Sequence, residues 1–200
     1  MRYSTRGAHG YRAGVMLLLL LNLAACSVIP AGPPALAEHD LGPTSLDKGF
    51  QPRDMPVHLA EVATAESLAG TDILYRVVYR DPTRIQRYAQ HVWRVAPVLL
   101  MADRLTQSGM PTRATAETPY RLSLRLLDFE QVITTPQKAH VNVRVAAELR
   151  DRAGKLVARY QFIDRSPTGP DLAGALNGLT AAARRQTDNI NQWVFDALPQ

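Results

Sequence analysis

"AHVNVRVAAELR" (139–150) carries the plainest periodic signal in the chain. Val141, Val143, Val145, Ala147 and Leu149 occupy one phase, and Asn142, Arg144, Ala146, Glu148 and Arg150 the other. A repeat of two sends alternate side chains to opposite faces, so the run reads as a strand with one apolar and one wetted face. The preceding segment, "YRLSLRLLDFE" (120–130), alternates in the same way through Tyr120, Leu122, Leu124 and Leu126. "DRAG" (151–154) reads as a turn and "KLVARYQFID" (155–164) as a third strand. Strands joined by short turns pair antiparallel, so these three form a meander.

A sheet with one apolar face needs a cover. After Pro170 the spacing becomes helical: Leu172, Leu176, Leu179, Ala183, Ile190, Trp193 and Val194 fall three, four or seven apart and line one stripe. Upstream, "VHLAEVA" (57–63) and "DILYRVVYR" (72–80) read as strands. Pro82 in "DPTR" (81–84) suits a turn, and "IQRYAQHVW" (85–93) returns as the second arm of a hairpin. Pro97 opens a helix that runs through "VLLMADRLTQSG" and stops at Gly109. The expected fold class is α+β: a mainly antiparallel sheet of five or six strands with two helices packed on one face.

The amino terminus has a different texture. Arg2, Arg6 and Arg12 precede an almost wholly apolar run over 13–21, and small residues lead up to Cys26. Basic head, short apolar core and small residues are the order of a secretory signal. The apolar stretch is well short of the roughly 20 residues a membrane-spanning helix needs. Cleavage before Cys26 removes three arginines and no acids, which takes the net charge from +5 to +2 and leaves residues 26–200. That weak charge, with no dense Lys/Arg cluster, argues against nucleic acid as a partner. Cys26 is the only cysteine, so no internal disulfide can form.

"LAAC" (23–26) resembles the bacterial lipoprotein box, in which the cysteine is acylated and becomes the first mature residue. Small residues at 24 and 25 let a protease approach the backbone. Two or three acyl chains hold a protein at a bilayer where one does so only marginally. An ordinary signal peptide with an incidental thiol is the plainer alternative. Asp after the cysteine is the usual inner-membrane retention signal in enterobacteria; Ser27 stands there and favours the outer membrane. Pro30, Pro33, Pro34, Pro43 and Pro52 then interrupt any helix or strand pattern. The expected organisation is a lipoprotein signal peptide over 1–25, a lipidated cysteine with a Pro-rich tether over 26–54, and one domain over 55–200. "PPALAEHDL" (33–41) could instead pack along the domain as an edge strand.

No catalytic constellation stands out. The chain has no GxSxG elbow, HExxH, phosphate loop or CxxC. His39, His58, His91 and His140 are scattered singly, and Asp128 and Glu130 share a strand face without a partner histidine. No catalytic, cofactor-binding or metal-ligating residue is expected, no cofactor is implied, and the protein is not read as an enzyme. Tyr75, Tyr79, Tyr88 and Trp93 crowd one hairpin, as a contact surface for lipid or a partner or as core rings. Arg184, Arg185 and Asp188 read as a solvated helix face.

"ILYR" (73–76), then "IQRYAQHVW", "AP" (96–97) and an "LLMADRL" helix (99–105) are similar to the ABC-type transport auxiliary lipoprotein family, the PqiC-like proteins. "LLDFEQV" (126–132), "AAELRDRAGKLVARYQF" (146–162) and a long closing helix add to the likeness, which covers roughly 55–197 and the lipobox. The resemblance implies a periplasm-facing lipoprotein anchored to the outer membrane by the lipid on Cys26. It would serve a transport system built from an ATPase, a permease and lipid-binding MCE-domain (mammalian cell entry) proteins. The MCE-domain protein would be its partner and a second copy of the chain a further one. Its task would be docking that assembly and assisting movement of phospholipid or other hydrophobic molecules between membranes. Tyr75, Arg76, Tyr88 and Trp93 match the family's pattern, as fold residues first and as contact residues for a partner or lipid second. The rival readings are an envelope scaffolding lipoprotein without a transport role and a lipid-anchored periplasmic hydrolase, which would need a deep pocket with nucleophile and base in contact.

Overall fold

The structure, a computed structural model, describes residues 35–43 and 55–199. The signal peptide, Cys26 and most of the Pro-rich segment lie outside the described residues. Eight strands and two helices follow in the order β1 (Ala37–His39), β2 (Val57–Thr64), β3 (Asp72–Val77), β4 (Ile85–Trp93), α1 (Pro97–Gln107), β5 (Tyr120–Thr135), β6 (Lys138–Arg150), β7 (Leu156–Asp164), β8 (Pro167–Thr168) and α2 (Leu172–Ala197).

The meander is as the alternation requires. β5, β6 and β7 pair antiparallel in sequence, and Val141, Val143, Val145, Ala147 and Leu149 are all buried. The fold is α+β with two helices, but the expectation of five or six mainly antiparallel strands needs correcting. The sheet has eight strands and is mixed: β1 pairs β4 in parallel, and β2 and β3 both pair β5 in parallel. Alternation reveals which face of a strand is buried, not which neighbour lies beside it, so the parallel pairings leave no local trace. A parallel neighbour needs a long crossover, which β4 and α1 supply between β3 and β5.

β5 organises the sheet. Its 16 residues span about 53 Å, long enough for β2 to pair with 120–126 and β3 with 130–133 along the same edge. Leu122, Leu124 and Leu126 are buried in the even phase, and Phe129, Gln131 and Ile133 in the odd phase. A β-bulge between Leu126 and Asp128 makes the switch. β4 has a similar irregularity around Gln90, a non-glycine residue at φ 62°.

α1 begins at Pro97 and ends before Gly109, whose φ of 101° suits a glycine stop. α2 is capped by Asp171, whose carboxylate accepts from the Gly174 amide at 2.7 Å. The helices contact each other and cover the buried side of the sheet. α2 comes in close at Gly174, where an added Cβ would sit 2.3 Å from the Gly169 carbonyl oxygen.

The open alternative for 33–41 is the one present: Ala37–His39 forms edge strand β1 beside His91–Trp93. The Arg94 amide donates to the His39 carbonyl at 2.7 Å, Leu41 is buried, and the Arg184 guanidinium donates to the Leu41 carbonyl through Nε at 3.0 Å. Strand 72–80 is shorter than expected, because residues 78–80 belong to the turn.

Candidate functional site

The aromatic hairpin is the site the sequence nominates. β3 and β4 pair Tyr75 with Gln86, and the Tyr75 hydroxyl donates to Gln86 Oε1 at 3.2 Å. The Tyr75 and Tyr88 rings tilt against each other with centroids 4.5 Å apart. The Tyr88 hydroxyl donates to Gln131 Oε1 at 2.6 Å, and Gln131 Nε2 donates to the carbonyls of Gly169 and Asp171 at the start of α2. Gln131 is fully buried. Burial, then the neighbouring Tyr75 and Asp171, push the Tyr88 phenol up to about 12, so it remains a donor throughout the ordinary pH range.

Arg76 points to the opposite face. Its guanidinium meets Glu130 through Nε at 3.4 Å and Nη2 at 3.2 Å, and reaches the Pro82 carbonyl through Nη1 at 2.8 Å. It ties β3 to β5 and closes the hairpin turn. Trp93 is 1% exposed and meets Phe129 edge-on at 5.7 Å. Of the four residues, the structure brings Tyr75 and Tyr88 together in one buried-edge network, turns Arg76 away from it, and places Trp93 in the core. Tyr79 lies in the turn, half in solvent, with Arg80 over its ring.

The remaining candidates separate. Asp128 and Glu130 share the open face, each tied to an arginine: Asp128 to Arg144 at 2.6 Å and Glu130 to Arg76. His140 lies on the same face, and burial, with Arg165 nearby, lowers its pKa. Arg184 and Arg185 are not simply a solvated face. Arg184 grips Leu41, while Arg185 holds Asp164 at 2.9 Å and the Ser166 hydroxyl at 2.8 Å. Burial alone would raise the Asp164 carboxyl, but the hydrogen bonds from Arg185 and Ser166 hold it below its ordinary value.

Two features escape the sequence. His39 and His91 are paired across β1 and β4, with Nε2 and Nδ1 3.0 Å apart and rings stacked. Nothing in a separation of 52 residues signals that contact. His39 borders an open cleft of about 920 Å³ between β1 and α2, lined also by Glu38, Asp40, Arg94, Thr180, Arg184 and Arg185 among others. The second feature is an aromatic chain joining β7 to α2, where Tyr160, Phe162 and Trp193 meet edge to face at 4.8 and 5.8 Å. The even spacing in "ARYQF" (158–162) was its signal. Among the described residues no group of three or more His, Cys, Asp or Glu is placed to hold a metal ion, and no helix is long and apolar enough to cross a membrane.

Comparison with known proteins defines the class by fold. A crystal structure of a Xanthomonas campestris protein of family DUF330 superposes with a TM-score of 0.62 at 16% identity, over 82% of this chain and 94% of that one. A second crystal structure, of an uncharacterized protein, matches at 0.57 and 13% identity over 80% of this chain and 99% of its own. A Neisseria meningitidis lipoprotein, GNA1162, matches at 0.26 with 16% identity, over 65% of this chain and 99% of its own, too weakly to bear on the fold. No family model and no curated protein matches the chain. The domain therefore shares the α+β fold of a DUF330 protein.

Proposed function

We propose that this chain is a lipoprotein of the bacterial envelope, anchored by acylated Cys26 and acting without enzymatic chemistry as a docking subunit. The observation that carries the reading is "LAAC" (23–26) directly behind a basic head and a leucine-rich core. Its domain would face the periplasm from the outer membrane. The order of motifs shared with the ABC-type transport auxiliary lipoproteins supports an MCE-domain protein as the partner, with phospholipid or another hydrophobic molecule as cargo. The DUF330 fold is compatible with that reading. At the hairpin the polar groups of Tyr75, Arg76 and Tyr88 are engaged within the fold, by Gln86, by Glu130 and the Pro82 carbonyl, and by Gln131.

Replacing Cys26→Ser should move the protein from the membrane to the soluble envelope fraction, and mass spectrometry of the wild-type amino terminus should show an acylated cysteine. Retention of the serine variant in membranes would defeat the anchor. Transfer of phospholipid between membranes should slow in a deletion strain; barrier defects with normal transfer would favour a scaffolding role instead.

A further inference from the structure

Among the described residues, no strand pairs with the outer side of β7. A free sheet edge presents a row of unpaired N–H and C=O groups, which proteins ordinarily blunt with proline, bulges or shortness. β1, at the other end, is only three residues long. β7 is nine residues, and its register with β6 runs unbroken from Ala158 to Asp164 without a proline. The one irregularity comes earlier, between the partners of Leu149 and Arg150.

We propose that this edge of β7 takes up an extended strand of a partner protein in which apolar side chains alternate with acidic ones. Apolar anchors are available on both faces. Tyr160 is 54% exposed on the helix side, where it leans on Phe162 and through it on Trp193. Ile163 is 54% exposed on the opposite side. The charge beside these anchors is net positive, because Asp164, the carboxylate on β7 itself, is already held by Arg185. Arg159 and Arg150 share a single carboxylate, Glu148, at 2.7 and 2.9 Å, which leaves a surplus positive charge. Lys155 and Arg165 flank the strand's ends. Complementary charge selects an acidic strand over other occupants.

A second copy fits less well. Antiparallel self-pairing about Tyr160 would bring Lys155 towards Arg165 of the other copy. About Arg159 it would set that guanidinium against itself, and about Gln161 it would set Arg159 against Ile163. Like charges directly opposite destabilise a strand pair. The inference stands apart from the transport reading, because it concerns the folded domain and is tested without lipid transfer.

The test uses the mature lipidated chain in detergent and peptides of about ten residues in which valine alternates with glutamate or with lysine. Fluorescence anisotropy should show the glutamate peptide binding at least about tenfold more tightly than the lysine peptide. Hydrogen exchange should slow at 158–164. Arg159→Glu should erase the preference, and Lys155→Glu, which leaves the Glu148 ion pairs alone, should reduce it. No binding, equal binding of the two peptides, or protection elsewhere overturns the proposal. Protection of 158–164 that rises with protein concentration alone assigns the edge to a second copy and overturns it as well. So does protection that appears only with phosphatidylglycerol vesicles, which would assign the edge to lipid.

Discussion

Gln131 is a fully buried polar side chain, and the arrangement around it explains why it is tolerated. Its oxygen accepts from Tyr88, and its nitrogen donates to two carbonyls where α2 begins. A buried polar group with its partners in place costs little, whereas one left without a partner costs about 1–3 kcal/mol. Tyr88→Phe strips the donor from the Gln131 oxygen and should lower unfolding free energy by about that amount, read from urea denaturation. The same residue gives a pH dependence. Its phenol ionises near 10 when unfolded and is pushed up to about 12 when folded. Stability from this group is present below the unfolded value and is lost as pH rises through the folded one. The urea midpoint should fall between about pH 10 and 12, and the Tyr88→Phe variant should lack that share of the fall. Trp93, enclosed beside Phe129, is a packing residue, and Trp93→Ala should cost about 3–5 kcal/mol.

Within single elements, alternation served well until a strand changed phase. β6 holds one phase from end to end, and every apolar position read from it is buried. β5 switches at Leu127 and β4 near Gln90, in each case through an irregular pairing. The β4 irregularity lets Tyr88 and Trp93, five positions apart, both reach the helix-covered side, where strict alternation would have opposed them. A crowd of aromatics on one hairpin was legible, then, but not which rings would be enclosed. Helix limits were easier, because Pro97, Gly109 and Pro170 act locally. The glycines of "GPDLAGALNGL" (169–179) carried a meaning visible only in three dimensions. Alanine normally improves a helix by about 1 kcal/mol over glycine. At Gly174 its Cβ would press on the Gly169 carbonyl, so Gly174→Ala should instead lower the melting temperature, measured by circular dichroism.

For the molecule as a whole, what the sequence withheld was long-range pairing: β1 against β4, β2 and β3 along one edge of β5, and His39 beside His91. The first of these changes how far the domain can stray. A leash reckoned over the whole Pro-rich segment would be roughly thirty residues long. With Ala37–His39 zipped to the sheet and Leu41 held by Arg184, only ten residues, 27–36, separate Cys26 from the first fixed position. Chain geometry caps the span of the eleven residue steps from Cys26 to Ala37 at about 40 Å. Acylation at Cys26, as proposed, would thus keep the start of β1 within about 40 Å of the bilayer surface whatever path the intervening chain takes.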